Sequence, residues 1–221
     1  YHSIVRDIRK THRNALFGLL MNMLQAVIFV ATFLALFSLM PAMRGAAIRG
    51  DFLLYIMSGI FLFLTHTKAV TAVFASEGPN SPMMHHVPMN TFIAIASSAL
   101  SSLYTQLLTL LVILFVYHVG FNPVVIDKPF GAMGMFLAAW FSGVSIGIVF
   151  LAIKPFMPDF ATIAVSIYSR ANMIASGKMF VANSLPAGML VLFDWNPLFH
   201  AIDQARGYTF LHYNPHFSSA M

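Results

Sequence analysis

The sequence predicts an all-α integral membrane protein, built as a polytopic bundle of transmembrane helices. Of its 221 residues, 59% are apolar and 9% are charged, whereas globular domains are about 45 to 50% apolar and about a quarter charged. The mean hydropathy is +0.79, and uncharged runs of 25 to 40 residues recur along the chain. Such a chain cannot cover its surface with charge, which excludes a soluble globular fold.

The positive charge of the chain is concentrated at its start. The formal net charge is +5, and four cations, Arg6, Arg9, Lys10 and Arg13, lie in the first 13 residues. Cations beside a first transmembrane helix set its orientation, so residues 1–14 are predicted to be a cytoplasmic interfacial segment. This distribution predicts no nucleic-acid partner. Cysteine is absent, which excludes disulfides and thiolate metal sites.

The first two predicted helices follow from long apolar stretches. The 30 residues over 14–43 contain no Asp, Glu, Lys or Arg, which predicts a transmembrane helix over 15–40. This run is too long for the apolar region of a signal peptide, which is about 7 to 15 residues. After a polar turn, a second helix is predicted over 52–75, with Lys68 close enough to its far end to snorkel.

A loop over residues 76–90 separates the second and third predicted helices, because it contains three prolines and a glycine. Ser81 before Pro82 is the pattern of a helix N-cap, which predicts a short helix over 82–86 on the membrane surface. Two long uncharged runs follow, and they predict the third helix over 91–118 and the fourth over 129–153.

Small residues on the fourth helix predict close helix packing. Gly143 and Gly147 have the small-xxx-small spacing that lets two helix backbones approach in lipid. We expect this packing within one subunit, with a dimer face as the alternative.

A fifth helix is predicted over residues 160–181, and it carries two cations, Arg170 and Lys178. About ten residues of helix place Arg170 about 15 Å deep, where exposure to lipid costs at least about 2.5 to 3.5 kcal/mol. Its guanidinium is therefore expected to face protein or water. It either bonds to a neighbouring helix or lines a translocation path with Tyr168 and Ser169. Lys178, near the outer end, either lines the same path or snorkels.

The segment after the fifth helix is too short and too amphipathic to cross a bilayer, which is typical of a re-entrant or interfacial segment. Asn196 and Pro197 supply an N-cap and a first-turn proline, which predicts a helix over 197–208. No linker divides the chain, so residues 1–221 are predicted to form one membrane domain. The cations beside the first helix predict a cytoplasmic amino terminus, and five crossings then place residues 195–210 outside.

The residue pattern gives no support for catalytic or metal-binding chemistry. The seven carboxylates are scattered, no G-x-S-x-G motif occurs, and the His212 to His216 spacing is interrupted by Pro215. Gly177 and Lys178 lack the earlier glycine and the following Ser or Thr of a phosphate-binding loop. No catalytic residue, metal site or nucleotide site is predicted in this chain.

The most specific pattern spans residues 175–210. It combines Ser-Gly-x-Met-Phe, a Leu-Pro pair and Trp-Asn-Pro-Leu with a following His and Arg. The residues are Ser176, Gly177, Met179, Phe180, Leu185, Pro186, Trp195, Asn196, Pro197, Leu198, His200 and Arg206. This stretch resembles the membrane subunits of type 2 ABC exporters, and most closely the capsular polysaccharide export permeases. The 76–90 loop is similar in position and length to the coupling helix of that family.

The resemblance implies a transport subunit, not an enzyme, with six transmembrane helices, the sixth lying beyond Met221. It implies a homodimer and two copies of a cytoplasmic ATP-binding subunit. That partner holds ATP and Mg²⁺, and this chain binds no cofactor. The coupling helix that contacts the partner would comprise Pro82, Met83, Met84, His85 and His86. Residues 182–215 would form an external gate that includes Trp195, Asn196, Pro197, His200, Asp203 and Arg206.

The resemblance also implies a cargo and a location. The cargo would be capsular or related polysaccharide, crossing the bacterial inner membrane, with periplasmic and outer-membrane export proteins continuing the route. Within the same class, the cargo is alternatively an O-antigen, a teichoic acid, a lipid or a drug. From a different class, a membrane-embedded enzyme or a scaffold without an ATPase partner remains open.

Overall fold

The computed structural model describes residues 15–39, 52–76, 90–120, 123–178, 193–210 and 213. Within these ranges the backbone forms six α-helices and no strands. The helices are α1 (Ala15–Leu39), α2 (Phe52–Phe74), α3 (Thr91–Gly120), α4 (Pro129–Ile153), α5 (Pro158–Ala175) and α6 (Pro197–Thr209). The predicted all-α fold class is confirmed.

Three helices of the described chain are long and apolar enough to cross a membrane. They are Leu53–Phe74 within α2, Thr91–Gly120 and Pro129–Ile153, and the described part of α1 adds a shorter apolar stretch, Leu20–Thr32. An α-helix satisfies its backbone hydrogen bonds internally, which is the condition for crossing lipid. The chain is therefore a polytopic membrane protein, as its composition predicts. The crossings by α1 and α5 stay predictions.

The helix α2 forms the centre of the bundle. Its apolar stretch is 78% buried, against 17% for that of α3 and 28% for that of α4. It packs against α1, α3, α4, α5 and α6. A helix that is apolar on all sides is buried in the interior of a bundle, with the other helices packed around it.

The helices α2 and α4 approach each other closely at two glycines. A Cβ atom at Gly143 would lie 2.5 Å from the carbonyl oxygen of His66, and one at Gly147 would lie 3.0 Å from that of Val70. A larger side chain at either position would push the helices apart. The small-xxx-small pattern therefore packs within one subunit, as expected.

The short helix α6 packs against α2 and α4. Its predicted start is confirmed, because the Leu198 backbone N–H donates to the Asn196 side chain at 3.1 Å and Pro197 occupies the first turn. At its other end, the Lys128 N–H donates to the Tyr208 carbonyl oxygen at 2.8 Å. Of its 13 residues, 10 are buried, so the bundle encloses this helix. Its re-entrant or interfacial placement in the membrane stays a prediction.

The fifth predicted helix is too long at its C-terminal end. It ends at Ala175 instead of residue 181, and Gly177 has a positive φ of 70°. Glycine adopts this left-handed conformation without steric cost and commonly terminates helices. Lys178 therefore follows the helix instead of lying on it. The predicted 82–86 helix, residues 1–14 and residues 179–192 lie outside the described ranges.

Candidate translocation site

The outward face of α5 carries a line of exposed polar side chains. Thr162, Ser166 and Arg170 are all exposed and follow each other at four-residue intervals, so they share one helix face. The Thr162 hydroxyl donates to the Pro158 carbonyl oxygen at 2.9 Å, and the Ser166 hydroxyl donates to that of Thr162 at 3.0 Å. We call these three residues the α5 polar line. Its charged member is Arg170.

Tyr168 is directed into the bundle, away from the α5 polar line. It is half-buried, as is Ser169, and its hydroxyl oxygen lies 2.8 Å from Nε2 of His66 on α2. His66 Nδ1 lies 3.2 Å from the Ala139 carbonyl oxygen and 3.0 Å from Ser142 Oγ. A carbonyl oxygen only accepts, so we assign the proton to Nδ1 and an accepting role to Nε2. Tyr168 therefore donates to His66 and fastens α5 to α2.

Lys178 is buried inside the subunit, with 2% of its surface exposed. Its ammonium nitrogen lies 3.2 Å from the ring centroid of Phe63 and 4.9 Å from that of Phe29. Such cation–π contacts replace part of the lost hydration of a buried ammonium. The expected snorkelling of Lys178 is therefore wrong, because the turn at Gly177 directs the chain back towards α2. In this subunit Lys178 is not on the α5 polar line.

The start of α6 is joined to the end of α5 through Asn196. Its side-chain Nδ2 donates to Asn172 Oδ1 at 2.7 Å and to the Ala175 carbonyl oxygen at 3.0 Å. The same amide uses its oxygen to cap α6. Trp195, the preceding residue, is 72% exposed. One buried amide therefore caps one helix and holds the last turn of another.

His200 lies on the first turns of α6 and bonds back to the segment before it. Its Nε2 lies 2.6 Å from the Asp194 carbonyl oxygen and 3.4 Å from the Asp194 carboxylate. Because a carbonyl oxygen only accepts, Nε2 donates in the first contact. The contact closes a turn at the entry to α6.

Arg206 fixes the other end of α6 to the turn after α5. It is 1% exposed, and its two terminal nitrogens donate to the carbonyl oxygens of Gly177 at 3.0 Å and Lys178 at 2.9 Å. The guanidinium carbon lies 3.9 Å from the ring centroid of Tyr55. Both carbonyl groups belong to the turn that follows Ala175, so these bonds join the turn after α5 to the C-terminal part of α6.

Asp203 is also buried, and one of its carboxylate oxygens accepts a hydrogen bond from the Tyr213 hydroxyl. Burial, and next the negative charge of Asp203, raise the pKa of Tyr213. The phenol therefore stays protonated and acts as the donor. Of the residues predicted to form an external gate, His200, Asp203 and Arg206 thus lie on α6, and each bonds to a part of the subunit outside that helix. Their gate role stays a prediction.

A sequence profile of the ABC-2 type transporter family matches residues 1–210. The chain belongs to this family. No curated protein gave a significant match to the sequence. The described architecture agrees with the assignment, since it is all-helical and contains three helices fit to cross a membrane.

Family membership makes this chain a transport permease subunit, and it implies a partner subunit that binds ATP. The residues predicted to contact that partner, 82–86, lie outside the described part of the permease. Among the residues that are described, no group of three or more His, Asp or Glu side chains is placed to hold a metal ion.

Sequence reasoning missed two side chains that organise this ABC-2 permease, His66 and Asn172. Both are buried and polar, and their partners lie 102 and 24 residues away in the chain. An ionisable side chain within an apolar span is itself a signal, because it is costly in lipid unless it has a partner. His66 carried that signal, whereas nothing in the sequence named Tyr168 as its partner.

Proposed function

We propose that this ABC-2 permease is half of a homodimeric exporter that moves capsular or related polysaccharide across the bacterial inner membrane. Two copies of a cytoplasmic ATP-binding subunit, which hold ATP and Mg²⁺, supply the energy. The observation that carries the proposal is the α5 polar line, which ends in an exposed Arg170 within a chain that is otherwise mostly apolar.

An exposed arginine on a membrane helix requires water or protein beside it. Exposure to lipid near the bilayer centre would cost at least about 2.5 to 3.5 kcal/mol. The two hydroxyls of the α5 polar line each donate to a carbonyl oxygen of their own helix. Each hydroxyl oxygen retains lone pairs that can accept hydrogen bonds from water or from sugar hydroxyls. A polar face of this kind suits a hydrated path between two subunits.

The charge of Arg170 favours an acidic cargo. A fixed positive charge in a narrow, low-dielectric passage raises the local concentration of anions. A polysaccharide needs a continuous hydrated channel rather than an enclosed pocket, because it is far longer than the membrane is thick. In this proposal Arg170 meets the acidic groups of the polymer, with Ser169 at the edge of the same face.

The movement that the ATP-binding partner imposes reaches the permease at the opposite end of the bundle from α6. The Lys154 ammonium, in the turn between α4 and α5, donates to the Phe74 carbonyl oxygen at 3.1 Å and lies 4.9 Å from the Phe74 ring centroid. Phe74 ends α2, directly before the 76–90 loop. A partner that grips residues 82–86 would therefore move α2 and the start of α5 together.

Other cargoes and another class remain as rivals. An O-antigen or a teichoic acid would use the same hydrated path, whereas a lipid or a drug would need an apolar one. A membrane-embedded enzyme or scaffold would need no ATPase. Periplasmic and outer-membrane proteins that receive the polymer belong to the polysaccharide proposal alone.

Co-purification distinguishes the exporter from the other class. We expect a soluble ATP-binding protein to remain bound to the detergent-extracted permease, and to be lost when residues 83–86 are replaced by alanine. The matched control replaces Phe115, Val116 and Val119, which are exposed near the end of α3, and should leave the complex intact. A stable chain that never retains such a protein would contradict the exporter.

A further inference from the structure

We infer that Tyr168, Asn172, His66 and Asn196 are positioning residues that set the rotation of α5 and thereby place Arg170 on the translocation path. The inference rests on the proposed function and deepens it. None of the four touches the proposed path, and each acts through the helix that carries Arg170.

Apolar packing does little to hold α5. Of its 18 residues, only Ala161, Val165 and Asn172 are buried. By contrast, α6 buries 10 of 13 residues. The buried apolar side chains of α5 are small and lie in its first half, and in its second half the Tyr168 ring packs edge-on against Phe150 of α4, with 5.6 Å between the centroids. A single edge contact leaves the rotation of the helix poorly fixed.

Polar contacts supply that restraint. Tyr168 donates to His66 at 2.8 Å, and Asn172 accepts from Asn196 at 2.7 Å. Tyr168 and Asn172 are four residues apart, so they lie one turn apart on the same face of α5. Both partners are themselves held, His66 by α4 and Asn196 by the cap of α6.

The residues that make these two contacts lie on either side of Arg170 in the sequence, and they set the direction in which Arg170 projects. Arg170 lies two residues after Tyr168 and two before Asn172, and at about 100° per residue it projects from nearly the opposite side of the helix. The burial pattern agrees, since Asn172 is 4% exposed whereas Arg170 is exposed. Loss of either contact would free α5 to rotate and turn Arg170 away from the path.

Hydrogen bonds suit this role better than apolar contacts in a membrane. Lipid is as apolar as a leucine side chain, so apolar contact gives one helix rotation little preference over another. A hydrogen bond between two buried side chains forms in only one rotation. The polar contacts of α5 can therefore favour one rotation of the helix over the others.

The chain offers a direct test because it contains no natural cysteine. In the assembled transporter in membranes, Arg170→Cys provides one reactive position, and a charged, water-soluble thiol reagent reports whether it faces water. The matched control is Ile148→Cys on an exposed apolar face of α4, which should react slowly in every background.

We expect Arg170→Cys to react quickly, and the rate to fall at least fivefold when Tyr168→Phe or Asn172→Leu is added. His66→Gln keeps an acceptor for Tyr168 and should preserve the rate, whereas His66→Leu should lower it. Asn196→Ser retains a helix cap but is too short to reach Asn172, so it should lower the rate as well. Transporter abundance in the membrane is measured for each variant, and rates are compared per folded complex.

Two outcomes would overturn the inference, and they differ. If Arg170→Cys reacts quickly and none of the added substitutions changes its rate, apolar packing alone sets the rotation of α5 and the inference is wrong. If Arg170→Cys reacts as slowly as Ile148→Cys in the unmodified background, no water reaches the α5 polar line. In that case the proposed path fails, and the inference fails with it.

Discussion

At the scale of residues, the buried cations of this permease are surrounded by backbone carbonyls and aromatic rings. Arg206 bonds to two carbonyl groups and lies over Tyr55, and Lys178 lies over Phe63. These groups supply the partial negative charge that water would otherwise provide. Their positions depend on the space next to α2, which Gly59 provides.

Gly59 is therefore a residue at which a single methyl group should be costly. A Cβ atom there would lie 2.7 Å from Arg206 Nη2 and 3.1 Å from the Lys178 Cα atom. The arginine can shift but the Lys178 backbone cannot, so we expect Gly59→Ala to destabilise the protein by about 1 to 3 kcal/mol. The loss is measured as a lower melting temperature of the purified protein in detergent.

The adjacent residue gives a matched control for Gly59→Ala. The Ser58 hydroxyl donates to the Tyr55 carbonyl oxygen of its own helix at 2.8 Å. Ser58→Ala should change stability by less than about 0.5 kcal/mol, because the helix keeps its backbone hydrogen bonds. Equal melting temperatures for the two variants would show that the space beside Gly59 is not restrictive.

At the scale of elements, the packing of α2 against α4 can be tested by a substitution at their closest approach. Gly143→Ala would place a Cβ atom 2.5 Å from the His66 carbonyl oxygen, which belongs to a helix backbone. We expect a loss of about 1 to 3 kcal/mol in stability. Because His66 also holds Tyr168, we expect lower transport per folded complex as well.

Gly134→Ala is the control on the same helix. Nothing lies within 4 Å of a Cβ atom at Gly134, and alanine is favoured over glycine in a helix by about 0.5 to 1 kcal/mol. It should therefore raise the melting temperature slightly or leave it unchanged. A Gly143→Ala variant as stable as Gly134→Ala would contradict the packing of α2 on α4.

The elements also show what could be predicted from the sequence. Long apolar runs predict α2, α3 and α4 well, because the length of a membrane span is fixed by the bilayer. The start of α6 followed from Asn196 and Pro197, whose chemistry is local. The predicted end of α5 lies too far along the chain, because the apolar residues after Gly177 favoured a longer helix and the tendency of glycine to end a helix was given too little weight.

Contacts between residues far apart in the chain could not be predicted from the sequence, for a physical reason. Tyr168 was predicted to line the path, but its hydroxyl bonds to His66, and no periodicity joins residues 102 positions apart. Lys178 was similarly assigned by its distance along an assumed straight helix, which the turn at Gly177 interrupts. Arg170 is exposed on the surface of the described subunit, and its contact with water or protein and its role in the path stay predictions.

At the scale of the whole molecule, two ends of the bundle carry different kinds of contact. One end holds α6, enclosed by helices and bonded to the turn after α5 through Asn196 and Arg206. The other holds the Lys154 contact to the last residue of α2. The α5 polar line runs between them, which is the arrangement expected if movement imposed at one end is to change access at the other.

In the proposed exporter, the α5 polar line faces the transported polymer. A photo-reactive amino acid at position 166 tests this placement in the assembled transporter, with its ATP-binding partner and polymer present. We expect glycan adducts at position 166 that depend on ATP, and none at position 148 on the outer face of α4. Equal adducts at both positions, or adducts at neither position while ATP-dependent export proceeds, would contradict the account.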